Sequence, residues 1–296
     1  MSGAVWVLSR CVARGFVSHD VPFLAASVAY YALLSVFPLA LLASAVAAAF
    51  LGQVEVQAAL RQAFAVYLPP DAASVVERAV FEAVRARGQA GAAALAVFLW
   101  SGSAATGAMR HALNRIFRAT ATPPLWRRKL LEMAATLVLA GLLGASVSLA
   151  VAQAVFVRLA PRLGPEVLRL LPGLDPLGKI GPLFLAFLTF LVAYRLLPAR
   201  RLPWGALTAG AACAAVLFEL VRAVVFFGVE KFVRYQVVYG SLAGMVVLST
   251  WVYVAALVVL VGAEVARCRS DAAFRGAPDG IRTRVAGLKD RSPRPG

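Results

Sequence analysis

Apolar residues in this chain gather into six long blocks, each parted from the next by cations, prolines or glycines. A bilayer core about 30 Å thick takes roughly 20 residues of helix. The blocks predict spans over 23–51, 89–109, 131–157, 178–197, 203–227 and 240–266. The second is the least apolar, since its centre reads WSGSAATG. Ahead of the first block, MSGAVWVLSRCVARGF places its cations after a short apolar run, which is not the order of a signal peptide. Residues 1–22 read as an amphipathic segment lying on the cytoplasmic face.

The segment 52–88 is patterned too. VEVQAALRQAFAVYL and DAASVVERAVFEAVRAR show helical spacing, with Val75, Ala79 and Glu82 on one face and Val76, Val80 and Val84 on another. Asp71 is placed to cap the second helix. An extracytoplasmic helical hairpin is expected, either against the membrane and bundle mouth or as solvated linker helices. The expected class is therefore all-α: a polytopic membrane protein with six transmembrane helices within 23–267. The basic tail over 268–296 is expected to be disordered.

Composition supports a membrane location. The chain is 61% hydrophobic and only 15% charged, with a mean hydropathy of +0.79, where a soluble domain carries about a quarter charged residues. The net charge of +16 has a topological explanation. With the amino terminus inside, nineteen of the thirty cations fall on inner segments and eleven on outer ones. MRHALNRIFRATATPPLWRRK alone holds six cations and no acid. Both termini are expected in the cytoplasm, with membrane lipids around the spans. No basic motif interleaved with aromatics appears, so no nucleic-acid partner is expected.

Several chemistries find no support. Cys11, Cys213 and Cys268 lie far apart and predict neither a metal site nor a disulfide framework. With His19 and His111 the only histidines, a zinc or iron site is not expected. The six aspartates all lie outside the spans. No catalytic residues, metal or cofactor are expected, and the chain is not read as an enzyme.

Polar groups inside the spans are the candidates for function. Ser27, Tyr31 and Ser35 recur every four residues on the first span, three residues ahead of the helix-kinking Pro38. They line a polar cavity, or their hydroxyls bond back to their own helix. Ser103 with Gly107 and Gly240 with Gly244 mark close helix packing. Trp251 and Tyr253 fall near mid-membrane and are expected to be buried. Glu219 lies ~24 Å along the fifth span from Pro203, with Arg222 three residues on. Left unpaired at that depth, a carboxylate costs several kcal/mol or takes up a proton. It is either a proton- or cation-binding group or half of an intrahelical ion pair. Glu264, with Arg267 three residues on, reads as an interfacial salt bridge near the inner end of the sixth span. Arg195 is placed to snorkel to the inner face.

Four blocks, AASVAYYALLSVFPLALL, SGSAATGAMRHALNRIF, YRLLPARRLPWGALTAGA and YGSLAGMVVLSTWVYVAALVVLVGAE, occur in an order and spacing that resemble the YihY/BrkB family of bacterial inner-membrane proteins. That family also carries the historical label ribonuclease BN. The resemblance covers about residues 10 to 267. It implies six spans and marks Tyr31, Ser35, Pro38, Asn114, Pro198, Glu219, Tyr235, Tyr239, Gly240, Trp251, Gly262 and Glu264 as the family's polar or special positions. Gly228 stands where the family tends to place a tyrosine. Envelope roles and, in some relatives, cation/proton exchange are what the resemblance implies. The nuclease label finds no convergent metal ligands here. The expected function is binding or transport of a small cation or lipid, with Glu219, Arg222, Tyr31, Ser35, Tyr235, Tyr239 and Glu264 as the candidate site. The alternative is a non-transporting scaffold for envelope assembly.

Overall fold

The computed structural model describes the backbone of residues 2–50, 72–78, 90–119, 124–163, 165–239 and 243–275. Within these it describes the side chains of 6–36, 38–39, 72–78, 96–119, 124–146, 181–225 and 244–272. The described residues form seven long helices and a short helical segment at 72–78, with no strand among them. The helices are α1 (Ser2–Ser18), α2 (Val21–Phe50), α3 (Ala90–Ile116), α4 (Leu125–Leu163), α5 (Pro165–Leu196), α6 (Trp204–Tyr239) and α7 (Ala243–Arg275).

Each of α2 to α7 overlaps one predicted span. Among the described residues, Leu125–Ser146, Trp204–Val225 and Gly244–Ala272 are long and apolar enough to cross a membrane, and Val21–Val36 and Gly181–Leu196 are shorter apolar stretches. Two helix boundaries differ from expectation. The predicted connection over 158–177 is taken up by helix, since α4 runs to Leu163 and α5 starts at Pro165, with residue 164 outside the described residues. Proline is tolerated at a first helical position, where its missing N–H has no intrahelical acceptor in any case. At the other end, α7 continues past residue 267 to Arg275. The Arg267 Nη1 bond to Asp271 Oδ2, at 3.1 Å, ties that extra turn together. Residues 52–71 and 79–88 of the expected hairpin, and 276–296 of the expected tail, lie outside the described residues.

Each long helix packs on the next in the chain, and α7 returns to α2, while also touching α1 and α3. The largest core cluster fills one end of this ring, with Val21, Leu24, Leu113, Ile116, Phe117, Tyr194, Leu207 and Leu260 at its centre. A smaller cluster lies elsewhere on the bundle. There Ala72 and Val76 of the 72–78 segment meet Leu248 of α7, beside Leu33 and Val36 of α2.

The end with the large core is fixed by its connections. Asp20, between α1 and α2, takes a positive φ of 54°, which aspartate tolerates better than most residues. Its carboxylate accepts a bond from Arg115 Nη2 at 2.5 Å. α3 ends with Arg118 at φ 52°, where glycine is usual. Ala119 N–H reaches back to the Asn114 carbonyl at 2.9 Å, and Arg118 N–H to the Arg115 carbonyl at 3.3 Å, satisfying carbonyls that would otherwise be orphaned. Asn114 Oδ1 accepts the Ala199 N–H at 2.8 Å, and Arg200 Nη1 donates to the Phe117 carbonyl at 3.0 Å. The α5–α6 link is thereby pinned to the end of α3. Arg195 lies over the Trp204 ring, 4.7 Å from its centroid.

Candidate functional site

The most deeply buried acid among the described residues is Glu264 of α7, at 0% exposure. His19 Nδ1 stands 2.5 Å from its Oε1, and Arg267 Nε donates to its Oε2 at 2.8 Å. The pairing with Arg267 expected from the sequence is present, and it is buried within the bundle. α1 lies over it, and His19 is a third member that sequence reasoning missed. The helices approach so closely here that α1 carries Gly15 at the contact. A Cβ on Gly15 would collide with Glu264 Oε2 and stand 2.7 Å from Arg267 Nη2. With both oxygens engaged and no exposed surface, this carboxylate is a clamp between α1, the α1–α2 joint and α7.

Next to the clamp, Cys11 of α1 is disulfide-bonded to Cys268 of α7, with Cα atoms 6.1 Å apart. This corrects the sequence expectation of no disulfide. The two residues are 257 apart in sequence, so no local spacing announces the bond; the docking of α1 on α7 creates it. Arg267 Nη2 lies 3.6 Å from Cys11 Sγ and 3.3 Å from Cys268 Sγ. The bond and the cation distribution make opposed statements about orientation, since cations favour the cytoplasm and disulfides persist in oxidising compartments. If this end is cytoplasmic, rapid alkylation of intact cells is expected to modify both thiols. Membranes prepared without alkylation should instead give a faster-migrating band on a non-reducing gel. A bond that survives alkylation in intact cells would place this end outside.

Glu219 of α6 is held differently. Arg222 Nη2 lies 2.5 Å from Glu219 Oε2, and the two side chains are 24% and 25% exposed, Arg222 first. Leu217, Phe218 and Val221 face the core, while Val216, Leu220 and Val224 are exposed, which puts Glu219 on the flank between the two faces. The ring of Phe218 meets that of the buried Trp251 at 5.8 Å between centroids, so Glu219 is level with the Trp251 turn, in the first third of α7. Glu264 is well over 10 Å further along the axis at 1.5 Å per residue. The two candidate acids therefore belong to separate places.

The remaining predicted residues do not converge on Glu219. α2, which carries Tyr31 and Ser35, packs on α3 and α7, whereas α6 packs on α5 and α7. Tyr31 is exposed and meets Tyr30 edge-on at 5.3 Å. Ser35 Oγ donates to the Ala32 carbonyl at 2.7 Å. Pro38 lies inside α2, which continues to Phe50. Tyr235 and Tyr239 belong to α6, but their side chains lie outside the described residues. No group of three histidines, cysteines or acids among the described residues is placed to hold a metal ion.

A second polar cluster, also missed in the sequence, joins α3 to α4. Glu132 is 5% exposed; its Oε1 accepts Arg128 Nε at 2.9 Å and faces Arg110 Nη1 at 3.9 Å. Thr106 Oγ1 lies 3.0 Å from the Glu132 carbonyl and 3.0 Å from Thr136 Oγ1. Gly107 makes room for the carboxylate, since a Cβ there would stand 3.2 Å from Glu132 Oε2. Glu132 lay at the start of a predicted span with cations four residues before it. The spacing to Arg128 was legible; the approach of Arg110 from another helix was not.

An all-helical bundle with apolar spans, charges paired inside it and cations concentrated at its connections is an integral membrane protein. The chain belongs to the family described as virulence factor BrkB, which matches residues 12–283. It is 29% identical over 273 residues to a UPF0761 membrane protein of Nitrosospira multiformis, covering 88% of this chain and 60% of that protein. A UPF0761 membrane protein of Rhodospirillum rubrum is 31% identical over 264 residues, covering 86% of this chain and 57% of the relative. A UPF0761 membrane protein of Vibrio campbellii is 44% identical over 84 residues, 28% of this chain and 27% of the relative. The chain thus spans about 60% of the length of the first two relatives. No solved structure matches it.

Proposed function

We propose that this protein binds a small cation or a proton at Glu219 and exchanges it across the bacterial inner membrane. The supporting observation is the contrast between the two acids on α6 and α7. Glu264 has both oxygens engaged and no exposure. Glu219 sits within the apolar stretch Trp204–Val225 and keeps about a quarter of its side chain exposed. A carboxylate in such a segment is costly unless paired. Arg222 offsets that cost while the acid stays within reach of an exchanging ion. The ion would compete with Arg222 for the carboxylate, so binding and release both run through one pair.

Everted membrane vesicles containing the protein are expected to show alkali-cation-dependent proton flux. Glu219→Gln should abolish the flux at unchanged protein level. Wild-type vesicles without flux for any alkali cation would sink the exchanger reading. A stable copurifying envelope protein in that case would favour the scaffold alternative, in which Glu219 and Arg222 only hold the bundle.

A further inference from the structure

The first turn of α4 is built against ordinary helix electrostatics. It holds Arg127, Arg128 and Lys129 close to its start and no acid in its first turn. The residue before it is Pro124, whose side chain offers no capping acceptor to the first-turn amides. A helix amino terminus carries about half a positive charge, so three cations there repel it and one another. Beneath this turn lies Arg110 of α3, 5% exposed, with Nη1 buried and without a hydrogen-bond partner. Its carboxylate neighbour, Glu132, is 3.9 Å away and already serves Arg128 at 2.9 Å. One acid is thus shared by two guanidiniums, with Arg127 and Lys129 beyond it, and an excess of positive charge remains.

The surroundings say what kind of anion fits. Trp100 is 75% exposed, Leu125 81%, Trp126 65% and Leu130 59%. Lys129 Nζ lies 5.3 Å from the centre of the Trp100 ring, and Arg127 Cζ lies 5.7 Å from that of Trp126. Cations at a helix amino terminus match a phosphate group, which accepts several bonds at once. The exposed tryptophans and leucines match acyl chain and glycerol. We propose that this face of α3 and α4 binds the phosphate of an anionic glycerophospholipid in the leaflet at the basic end of the bundle. Arg128, Lys129 and the first-turn amides hold the phosphate, and Arg110 supplies positive potential from below. The site uses no residue assigned to cation exchange and stands apart from Glu219.

The test uses delipidated full-length protein in detergent, titrated with phosphatidylglycerol or phosphatidylcholine and read by native mass spectrometry. Phosphatidylglycerol is expected to bind at least about tenfold more tightly, on the order expected for two or more cations each contributing near a lipid surface. Arg128→Ala with Lys129→Ala should remove that preference. Because Arg128 also serves the buried Glu132, the unfolding midpoint is read on the same sample, and Lys129→Ala alone, at a half-buried position, should already weaken the preference. Arg201→Ala, an exposed cation at the same end, should leave the preference in place. Equal binding of the two lipids, or a preference that survives the double substitution, would overturn the proposal. So would competition by inorganic phosphate at lipid-equivalent concentration, which would make this a site for free anions.

Discussion

Glu264→Ala is expected to destabilise the bundle by about 3–5 kcal/mol, the range for removing one partner from a buried ion pair. The carboxylate has 0% exposure, and the side chains it serves, His19 and Arg267, are 10% and 7% exposed. Alanine leaves the Arg267 guanidinium buried with Asp271, at 3.1 Å, as its remaining acid. It also opens the space beneath Gly15, where α1 rests on the clamp. Thermal unfolding of detergent-purified protein should register the loss, with Glu264→Gln intermediate because it keeps the shape and one acceptor oxygen. Replacing Glu264 and Arg267 together by leucines should cost less than Glu264→Ala alone, since no uncompensated charge remains. An unchanged midpoint for Glu264→Ala would show that water reaches Arg267 and that the clamp is open. The same experiment separates the two acids: Glu219→Gln should leave the midpoint nearly unchanged, because Arg222 is partly exposed and can turn toward solvent or headgroups.

The physical basis of these pairs explains how much was legible in the chain. Glu219–Arg222 and Glu264–Arg267 follow from helix geometry, because residues three apart share a face wherever the helix lies. The long helices are readable from apolar runs that only a lipid environment requires. What stayed hidden depends on how helices dock. His19 is 245 residues from Glu264, and Cys11 is 257 from Cys268. Neither pairing leaves a periodic trace, and His19 falls in the sequence within the amphipathic segment 1–22, with nothing to mark a partner. The burial of Glu264 was hidden for the same reason, since depth along a span does not say that α1 covers its end. The connection expected over 158–177 rested on its prolines and arginines, yet arginine is a good helix former and Pro165 stands at the first position of α5. Pro161, Pro172 and Pro176 lie inside the helices without such an explanation.

The contact between α6 and α7 yields the second large expected effect. Gly210 and Gly262 face each other so closely that a Cβ on Gly262 would stand 2.8 Å from the Gly210 carbonyl and 2.6 Å from the Ala214 Cβ. From α5, the Tyr194 hydroxyl would lie 2.5 Å from that same Cβ. Tyr194 is 1% exposed and donates to the Val259 carbonyl at 2.5 Å. In a membrane, where lipid tails are as apolar as leucine, such close backbone approach is a main source of helix association. Gly262→Val therefore meets two helices at once, α5 and α6, and two of the obstructing groups are helix backbone or Cβ, which cannot swing aside. The expected cost is about 3 kcal/mol from overpacking, with up to ~1.5 kcal/mol more if Tyr194 loses its bond. Tyr194→Phe measures that hydroxyl contribution separately. Gly141→Ala on α4, where nothing lies within 4 Å of the added carbon, should be neutral or stabilising by up to ~1 kcal/mol through helix propensity. Unfolding midpoints in detergent compare the three variants directly. A Gly262→Val protein as stable as the Gly141→Ala protein would mean that α6 and α7 are not held at this distance.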